Sequence, residues 1–439
     1  MNTDSPSERV DRPSRAFVLA LAILSAAAWL AAGPTAPGSG TSRPVTSDSH
    51  ETSAISTLAP AWHWTSDRPV WKLALSPDGG CVGVLTITQN RDGAQSYGLV
   101  VLDATNGQER WRATVPPDVT FVEGFAVAPG CDWVAVGPRP SGAAPGVTTA
   151  ILVLGVDGVR HAIVIDGVAH NLAISHKGDA IAAGLDYPKD DVNVLLLSPE
   201  GRRLWGYAHR HTYREPLVAF SEDDGAVIVT RWFGVGVLAR DGKPRWGLGE
   251  GGRPIEQGAK TLWRGIDASA DLQWFAAHDA PMHGPQGGWV GLLRADGTPA
   301  WTRGPYWGPE AIIAPDGAFA VIAGAKMRGE TSQPERPDGS CLVVDRRGRT
   351  TAERKAADIG TLLFVSRDSG WIVTASYAPP SLVLLNRSLQ VVTRAPLGEP
   401  VWNRAAGLIV GRRVEGDRRM NALDAYRLPP APAPAGLSR

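Results

Sequence analysis

Histidine and cysteine are the residues of this chain best suited to bind a metal or to act as nucleophiles, and their spacing favours neither role. The chain has nine histidines, with the densest cluster at His209–His211, and none shows the helical i, i+4 spacing or the Cys/His pairing of a zinc site. Cys81, Cys131 and Cys341 are odd in number and far apart, so we expect three small core residues rather than a disulfide framework. No nucleophile elbow, phosphate loop or carboxylate pair is visible. We therefore predict no metal, no cofactor and a non-catalytic protein.

Arginine and aromatic residues form a second set, in long segments between apolar strands such as 208–216 and 303–310. These residue types are enriched at partner surfaces. The candidates for ligand or partner binding in these segments are His209, His211, Arg231, Trp232, Tyr306 and Trp307. The alternative is that these segments are only tolerated surface loops.

Apolar strands in a repeat of about 45 residues hold these segments. Each unit begins with a hairpin, as in "LALSPDGGCVGVL" (73–85), and seven further copies follow, the last being "NRAAGLIVGRR" (403–413). A third strand follows each hairpin, and in all units but the last a turn, usually with a glycine, leads to an outer strand. The repeat predicts an all-β protein, an eight-bladed β-propeller of four-stranded antiparallel blades over 58–427.

A tryptophan follows the turn glycine by four residues in four units: Trp111, Trp205, Trp246 and Trp301. We expect each indole to fill the wedge between neighbouring blades. The chain has eight third strands but only seven following outer strands. We expect segment 58–66, with Trp62 and Trp64, to supply the missing strand and close the last blade.

The entry of each innermost strand is expected five residues before its hairpin turn, which gives Trp71, Glu123, His170, Pro216, Arg264, Pro309, Thr361 and Trp402. Because innermost strands line the channel, these side chains should ring its mouth. A carboxylate, an imidazole, a guanidinium and two indoles could orient a small polar ligand or a side chain of a partner. The alternative is that Glu123 and Arg264 are solvated and pair with neighbours through water.

The stretch Leu102–Trp111 resembles the repeat of pyrroloquinoline-quinone-type propellers, and Ser76–Gly79 is similar to turns of WD-repeat-like propellers. This resemblance concerns structural motifs, so it implies the fold and settles no function. Enzymes of the quinone family bind quinone and calcium and usually carry a vicinal cysteine pair, which is absent here. An enzyme, either a hydrolase or a quinoprotein-like oxidoreductase with its site at the channel mouth, is the alternative prediction.

The N-terminus carries an uncharged run of 17 residues, Ala16–Ala32, after Arg9, Arg12 and Arg15. Its length and flanking charges predict a membrane anchor with residues 1–15 in the cytoplasm and the rest outside. A cleaved signal peptide, leaving a secreted or periplasmic protein, is the alternative. Residues 33–57 read as a flexible linker, and 428–439 read as a Pro/Ala-rich tail.

The chain has 44 basic and 44 acidic residues, which gives no electrostatic reason to expect a nucleic acid partner. The sequence therefore predicts a membrane-tethered, extracytoplasmic propeller that binds a protein partner or a small polar ligand. A purely structural component of the cell envelope is a further possibility.

Overall fold

The computed structural model describes residues 56–89, 95–144, 146–190, 192–208, 216–231, 234–246, 265–278, 288–326, 340–355, 359–377, 379–415 and 418–430. They lie within one compact unit, Ile55–Arg439. Every regular element in these ranges is a β-strand, and none of them contains a helix that is long and apolar enough to cross a membrane. The expected anchor, Ala16–Ala32, lies outside the described residues.

Two short strands, β1 (Ser56–Thr57) and β2 (Trp62–Thr65), precede the repeats. Blade 1 consists of β3 (Val70–Leu75), β4 (Cys81–Gln89), β5 (Gln95–Asp103) and β6 (Glu109–Thr114). Blade 2 consists of β7 (Val122–Val127), β8 (Trp133–Pro138), β9 (Thr148–Gly155) and β10 (Gly158–Asp166). Blade 3 consists of β11 (Val168–Ile174), β12 (Ile181–Asp186), β13 (Val192–Leu197) and β14 (Arg203–Ala208). Blade 4 consists of β15 (Leu217–Phe220), β16 (Ala226–Arg231), β17 (Gly234–Ala239) and β18 (Pro244–Trp246).

Blades 5 and 6 share one long strand. Blade 5 consists of β19 (Gly265–Ala268), β20 (Trp274–His278), β21 (Gly288–Arg294) and the first part of β22 (Pro299–Ile313). Blade 6 continues with the rest of β22 and adds β23 (Phe319–Lys326), β24 (Ser340–Asp345) and β25 (Thr350–Lys355). Blade 7 consists of β26 (Thr361–Val365), β27 (Ile372–Tyr377), β28 (Pro380–Leu385) and β29 (Val391–Ala395). Blade 8 consists of β30 (Leu397–Asn403), β31 (Leu408–Glu415), β32 (Arg418–Arg427) and β2, which pairs antiparallel with β32.

The predicted eight-bladed propeller of four-stranded antiparallel blades is confirmed, with two changes at its ends. Ser56 and Thr57, which we placed in the flexible linker, pair in parallel with β29 in blade 7. Leu428 and Pro429, which we placed in the tail, belong to the folded unit, because Leu428 packs on the core and the Pro429 carbonyl accepts a hydrogen bond from Trp371.

The core lies between the blades, in eight apolar clusters that each join two neighbouring sheets. Strand β5 shows why the sequence produces this arrangement. Its Leu99 and Val101 pack toward blade 2, whereas Val100 and Leu102 pack toward blade 8. Because successive side chains of a strand point to opposite faces, a sheet buried on both faces needs a continuous apolar run.

The spaced tryptophans lie on the outer strands and contact the next blade, as predicted. Trp205 on β14 donates through Nε1 to the Arg240 carbonyl of blade 4 at 2.9 Å, and its ring covers Gly242. A Cβ at Gly242 would lie 2.7 Å from Trp205 Cγ, and the φ of Gly242 is +85°. The turn glycine is therefore needed both for its left-handed backbone and for the close approach of the indole. Trp301 repeats the contact with the Asp345 carbonyl of blade 6 at 3.2 Å.

An ion pair links blades that are not neighbours. Arg404, in the hairpin turn of blade 8, donates through Nη2 to both carboxylate oxygens of Asp267 on β19 of blade 5, at 2.7 and 2.6 Å. Both side chains are mostly buried. Since blades 5 and 8 are separated by two blades, this pair spans the interior of the ring at the end where the hairpins turn.

The cysteines differ from our expectation. Cys81 on β4 and Cys131 in the blade 2 hairpin form a disulfide, with their Cα atoms 5.8 Å apart. The prediction of three free core cysteines is therefore wrong for this pair, because adjacent blades bring the two residues together although 50 positions separate them. Cys341 is free and fully buried, as expected.

Candidate functional site

The innermost strands of blades 1, 2, 3 and 8 each contain a β-bulge near their first residues. In β3 the partners of Val70 and Lys72 are Thr86 and Leu85, so Trp71 is the extra residue. The same shift makes Glu123 the extra residue of β7 and His170 that of β11. In β30 the shift lies between Gly398 and Val401 and includes Glu399. A bulge redirects a side chain out of the ladder, and bulges often occur next to functional sites.

The four bulge residues line a single cavity of about 370 Å³, together with Lys72 and Arg412. The remaining walls include apolar side chains of blades 1, 2, 4 and 8. This volume is at the small end of the range found for ligand pockets, roughly 300–1,000 Å³. The cavity therefore combines a packed apolar wall with a few convergent charged groups.

Glu123 is at the centre of the charged groups. One carboxylate oxygen lies 2.7 Å from Arg139 Nη1, and the other lies 3.3 Å from His170 Nδ1. Burial alone would raise the pKa of Glu123, but the hydrogen bonds and charges of His170 and Arg139 outweigh it and lower the pKa to about 2. The side chain is only 12% exposed and pairs directly with Arg139, so the alternative in which Glu123 is solvated and pairs through water is wrong.

Lys72 and Trp71 line the same cavity. Lys72 Nζ donates to the backbone carbonyl of Glu123. Burial lowers the pKa of Lys72, although the Glu123 charge acts in the opposite direction. Trp71 Nε1 is buried and has no acceptor among the described residues, and its ring packs edge-on against Phe121 at 5.6 Å. The Lys72 ammonium has three donors and uses one of them on the Glu123 carbonyl, so it has hydrogen-bonding capacity left.

Glu399 and Arg412 form the blade 8 side of the cavity. Arg412 Nε lies 2.9 Å from Glu399 Oε2, and Arg412 Nη2 donates to the Val70 carbonyl of blade 1. Glu399 has a φ of +49°, an uncommon conformation for a residue other than glycine. Such outliers persist where the surrounding structure holds them, and they are frequent at binding sites.

The structure brings together three of the predicted site residues, Trp71, Glu123 and His170. Trp402 does not line the cavity and stacks on Phe364 with ring centroids 6.0 Å apart, so the expected wall of two indoles is not formed. The error has a local cause. The blade 8 turn begins at Arg404, whose carbonyl accepts from Gly407 N, and five residues back from it is Glu399.

The other predicted residues are distributed along the chain. Tyr306 is in β22 and is buried in the core of blades 5 and 6, which corrects our placement of 303–310 in an exposed loop. Trp307 lies in the same strand, and Arg231 ends β16. The remaining four lie outside the described residues: His209, His211, Trp232 and Arg264. Sequence reasoning missed Lys72, Glu399 and Arg412, although Lys72 immediately follows a predicted site residue.

The quinone and calcium implied by the family resemblance do not fit the described residues. Cys81 is joined to Cys131 rather than to a vicinal cysteine. No group of three or more His, Cys, Asp or Glu side chains suited to a metal ion occurs in the described ranges. The Glu123 carboxylate is already held by Arg139 and His170.

Fold and site together define a class: an eight-bladed β-propeller with a polar cavity in its channel. No protein-family model and no curated protein matches the sequence. Among solved structures, Saccharomyces cerevisiae Sqt1 is similar with a TM-score of 0.53 at 9% identity, covering 85% of this chain and 100% of that one. U3-55K matches with a TM-score of 0.46 at 12% identity, covering 84% and 100%. Hydrazine synthase from Kuenenia stuttgartiensis matches with a TM-score of 0.43 at 13% identity, covering 74% and 98%. At these identities the likeness shows the fold alone.

Proposed function

We propose that this protein is a non-catalytic binding propeller whose site is the channel cavity formed by Trp71, Lys72, Glu123, His170 and Glu399. The observation that carries the proposal is the single cavity that charged and aromatic side chains from the innermost strands of blades 1, 2, 3 and 8 line together. The innermost strands of blades 6 and 7 carry similar bulges away from the cavity, so the bulges belong to the repeat, and this site is distinguished by the charged and aromatic side chains that share one cavity.

Site-specific photocrosslinking tests this proposal. Leu217 is 52% exposed and lines the cavity, whereas Val164 is 72% exposed on the outer strand of blade 2. A photoreactive residue at position 217 should crosslink the natural ligand or partner in cells, and the same residue at 164 should not. Equal adducts at both positions, or none at 217, would reject the cavity as the binding site.

We also propose that the propeller lies outside the cytoplasm, tethered to the membrane by residues 16–32. The uncharged run after three arginines supports this placement. The Cys81–Cys131 disulfide gives independent support, because disulfides persist mainly in oxidising compartments.

A topology reporter fused after Arg439 tests the compartment. It should be active outside the cytoplasm, and the chain should stay with the membrane after an alkaline wash. A reporter active in the cytoplasm would refute the placement, and release by alkali would refute the anchor alone.

We propose further that segment 58–66 closes the ring. Its support is the pairing of β2 with β32, and the contact of Trp62, whose Nε1 donates to the Ala104 carbonyl of blade 1 at 2.9 Å. Deleting 58–66 should expose an unpaired edge and abolish cooperative unfolding, whereas deleting 33–55 should not change the melting temperature. Identical melting of the two variants would mean that closure does not depend on this segment.

A further inference from the structure

The outer strand of blade 2 forms an apolar edge on the rim of the propeller. This strand, β10, spans nine residues, against six in each of β6, β14 and β25. Val164 on β10 is 72% exposed, and Val156 and Val159, beside the start of the strand, are exposed as well. From His161 to Ile165 the strand has no lysine, arginine, aspartate or glutamate. Natural proteins usually place such charges on an edge strand, because a long apolar edge pairs readily with another strand.

The edge of β10 is unpaired within the described part of the chain. The blade 2 sheet has the order β10-β9-β8-β7, so only one side of β10 is bonded to a neighbour. Blade 7 shows that an outer edge of this propeller accepts a further strand, because β1 pairs in parallel with β29. A strand from another chain can therefore be added to blade 2 in the same way.

The sequence of β10 is complementary to itself in one antiparallel register. When two copies pair about a two-fold axis at Ile163, Ala162 lies opposite Val164 of the second copy, and Arg160 lies opposite Asp166. These four side chains are all exposed, as they must be, because opposite residues of an antiparallel pair point to the same face. A shift of one residue would set exposed side chains against buried ones, and a shift of two would leave Arg160 and Asp166 without each other.

Arg160 and Asp166 keep hydrogen-bonding capacity for this pairing. Arg160 Nη2 donates to the Asp132 carbonyl at 2.6 Å, but Nη1 lies 3.5 Å from the Asp132 carboxylate, at the long limit of a hydrogen bond. Asp166 Oδ1 accepts from the Thr148 hydroxyl at 3.1 Å, and no described group donates to Oδ2. The bulge of β10 is at Arg160, so it leaves the ladder of residues 161–166 regular.

We propose that the protein forms a symmetric dimer in which β10 pairs antiparallel with β10 of a second copy, with two Arg160–Asp166 ion pairs across the interface. A two-fold contact uses each edge once, so the assembly closes at two chains. The contact is one strand wide, so the dimer should be weak, as small interfaces are. The inference is independent of the channel cavity. A photoreactive residue at position 164 should link only two copies of this chain, which gives an adduct of twice the chain mass.

Sedimentation velocity of the full chain in detergent solution tests the dimer through a charge exchange. Arg160→Asp and Asp166→Arg each set like charges against one another twice, so each variant alone should dimerise at least about tenfold more weakly than wild type. In a mixture of the two variants, a heterodimer regains both pairs of opposite charge. The mixture should therefore sediment as a dimer at concentrations where each variant alone is a monomer.

Two lysine variants locate the interface on blade 2. Val164→Lys puts a charge in the middle of the edge and should abolish the dimer. The matched control is Leu204→Lys, which changes an exposed aliphatic residue on the outer strand of blade 3 and should leave the dimer intact. Both side chains are exposed, so both variants should melt at the wild-type temperature. A wild type that stays monomeric at high micromolar concentration, a dimer that survives Val164→Lys, or a charge-exchange mixture that stays monomeric would overturn the inference.

Discussion

Replacing Glu123 with glutamine should destabilise the propeller at neutral pH by an amount that disappears in acid. The pKa of Glu123 is lowered from 4.5 to about 2 in the folded protein, which corresponds to about 3 kcal/mol of stability when the carboxylate is charged. Because the folded pKa is the lower one, this contribution is complete above about pH 4.5 and is lost as the pH falls toward 2. Glutamine keeps the size of the side chain but has no charge for Arg139 to pair with.

Differential scanning calorimetry can measure this effect. A propeller of roughly 370 residues has an unfolding entropy of about 0.8 kcal/mol per kelvin, so Glu123→Gln should lower the melting temperature by about 4 °C at pH 7. The difference from wild type should shrink steadily below pH 4.5. The matched control is Glu109→Gln, whose carboxylate pairs with the exposed Arg112 on the outer strand of blade 1 and should contribute little. Equal losses in the two variants, or a difference at Glu123 that is as large at pH 2.5 as at pH 7, would refute the reasoning.

Three further predictions concern the disulfide, a docking glycine and a second buried carboxylate. When the protein is unfolded without reduction, it should take up one alkylating label, at Cys341, and three labels would contradict the disulfide. The double variant Cys81→Ala/Cys131→Ala should lose about 4 kcal/mol of unfolding free energy, as expected for a loop of this length. Gly242→Ala should lower the free energy of unfolding in denaturant by more than about 2 kcal/mol, because the new methyl group meets Trp205. Gly142 has a similar φ and no atom within 4 Å of the added methyl, so Gly142→Ala should cost about 1 kcal/mol. Equal costs would mean that the contact with the indole is unimportant. Burial raises the pKa of Glu310 to about 7, so the protein should lose stability as the pH rises from 4.5 through 7 and this carboxylate becomes charged. Glu310→Gln should therefore raise the melting temperature at pH 8 but not at pH 4.5.

The blades could be predicted from the sequence because their signals are local and repeated. The turn glycine and the tryptophan four positions later report one contact between neighbouring blades, and the structure repeats it at Trp205 and Trp301. Counting back from the hairpin turns also found Trp71, Glu123 and His170, because each lies at the same distance from a regular turn.

The remaining part of the site depends on features without a local signal. In blade 8 the hairpin turn is irregular and the strand before it has a bulge between Gly398 and Val401. Counting five residues back from the expected turn therefore gave Trp402 instead of Glu399. The disulfide was missed although its 50-residue separation is close to one repeat, which places both cysteines on adjacent blades. The pairing of Glu123 with Arg139 follows from the register of the blade 2 hairpin, in which Val122 pairs with Pro138, and the sequence analysis did not work out that register.

The link between Arg404 and Asp267 changes the connectivity of the whole ring. In a propeller each blade otherwise contacts its two neighbours, so mechanical coupling between distant blades must pass around the circumference. This contact is a chord that divides the eight-membered circle into two smaller closed circuits, one of blades 5 to 8 and one that runs from blade 8 through blades 1 to 5. The side chains that line the cavity come from blades 8, 1, 2, 3 and 4, so the cavity belongs entirely to the larger circuit. The separation of blades 5 and 8 is therefore held by this ion pair as well as by the two blades between them.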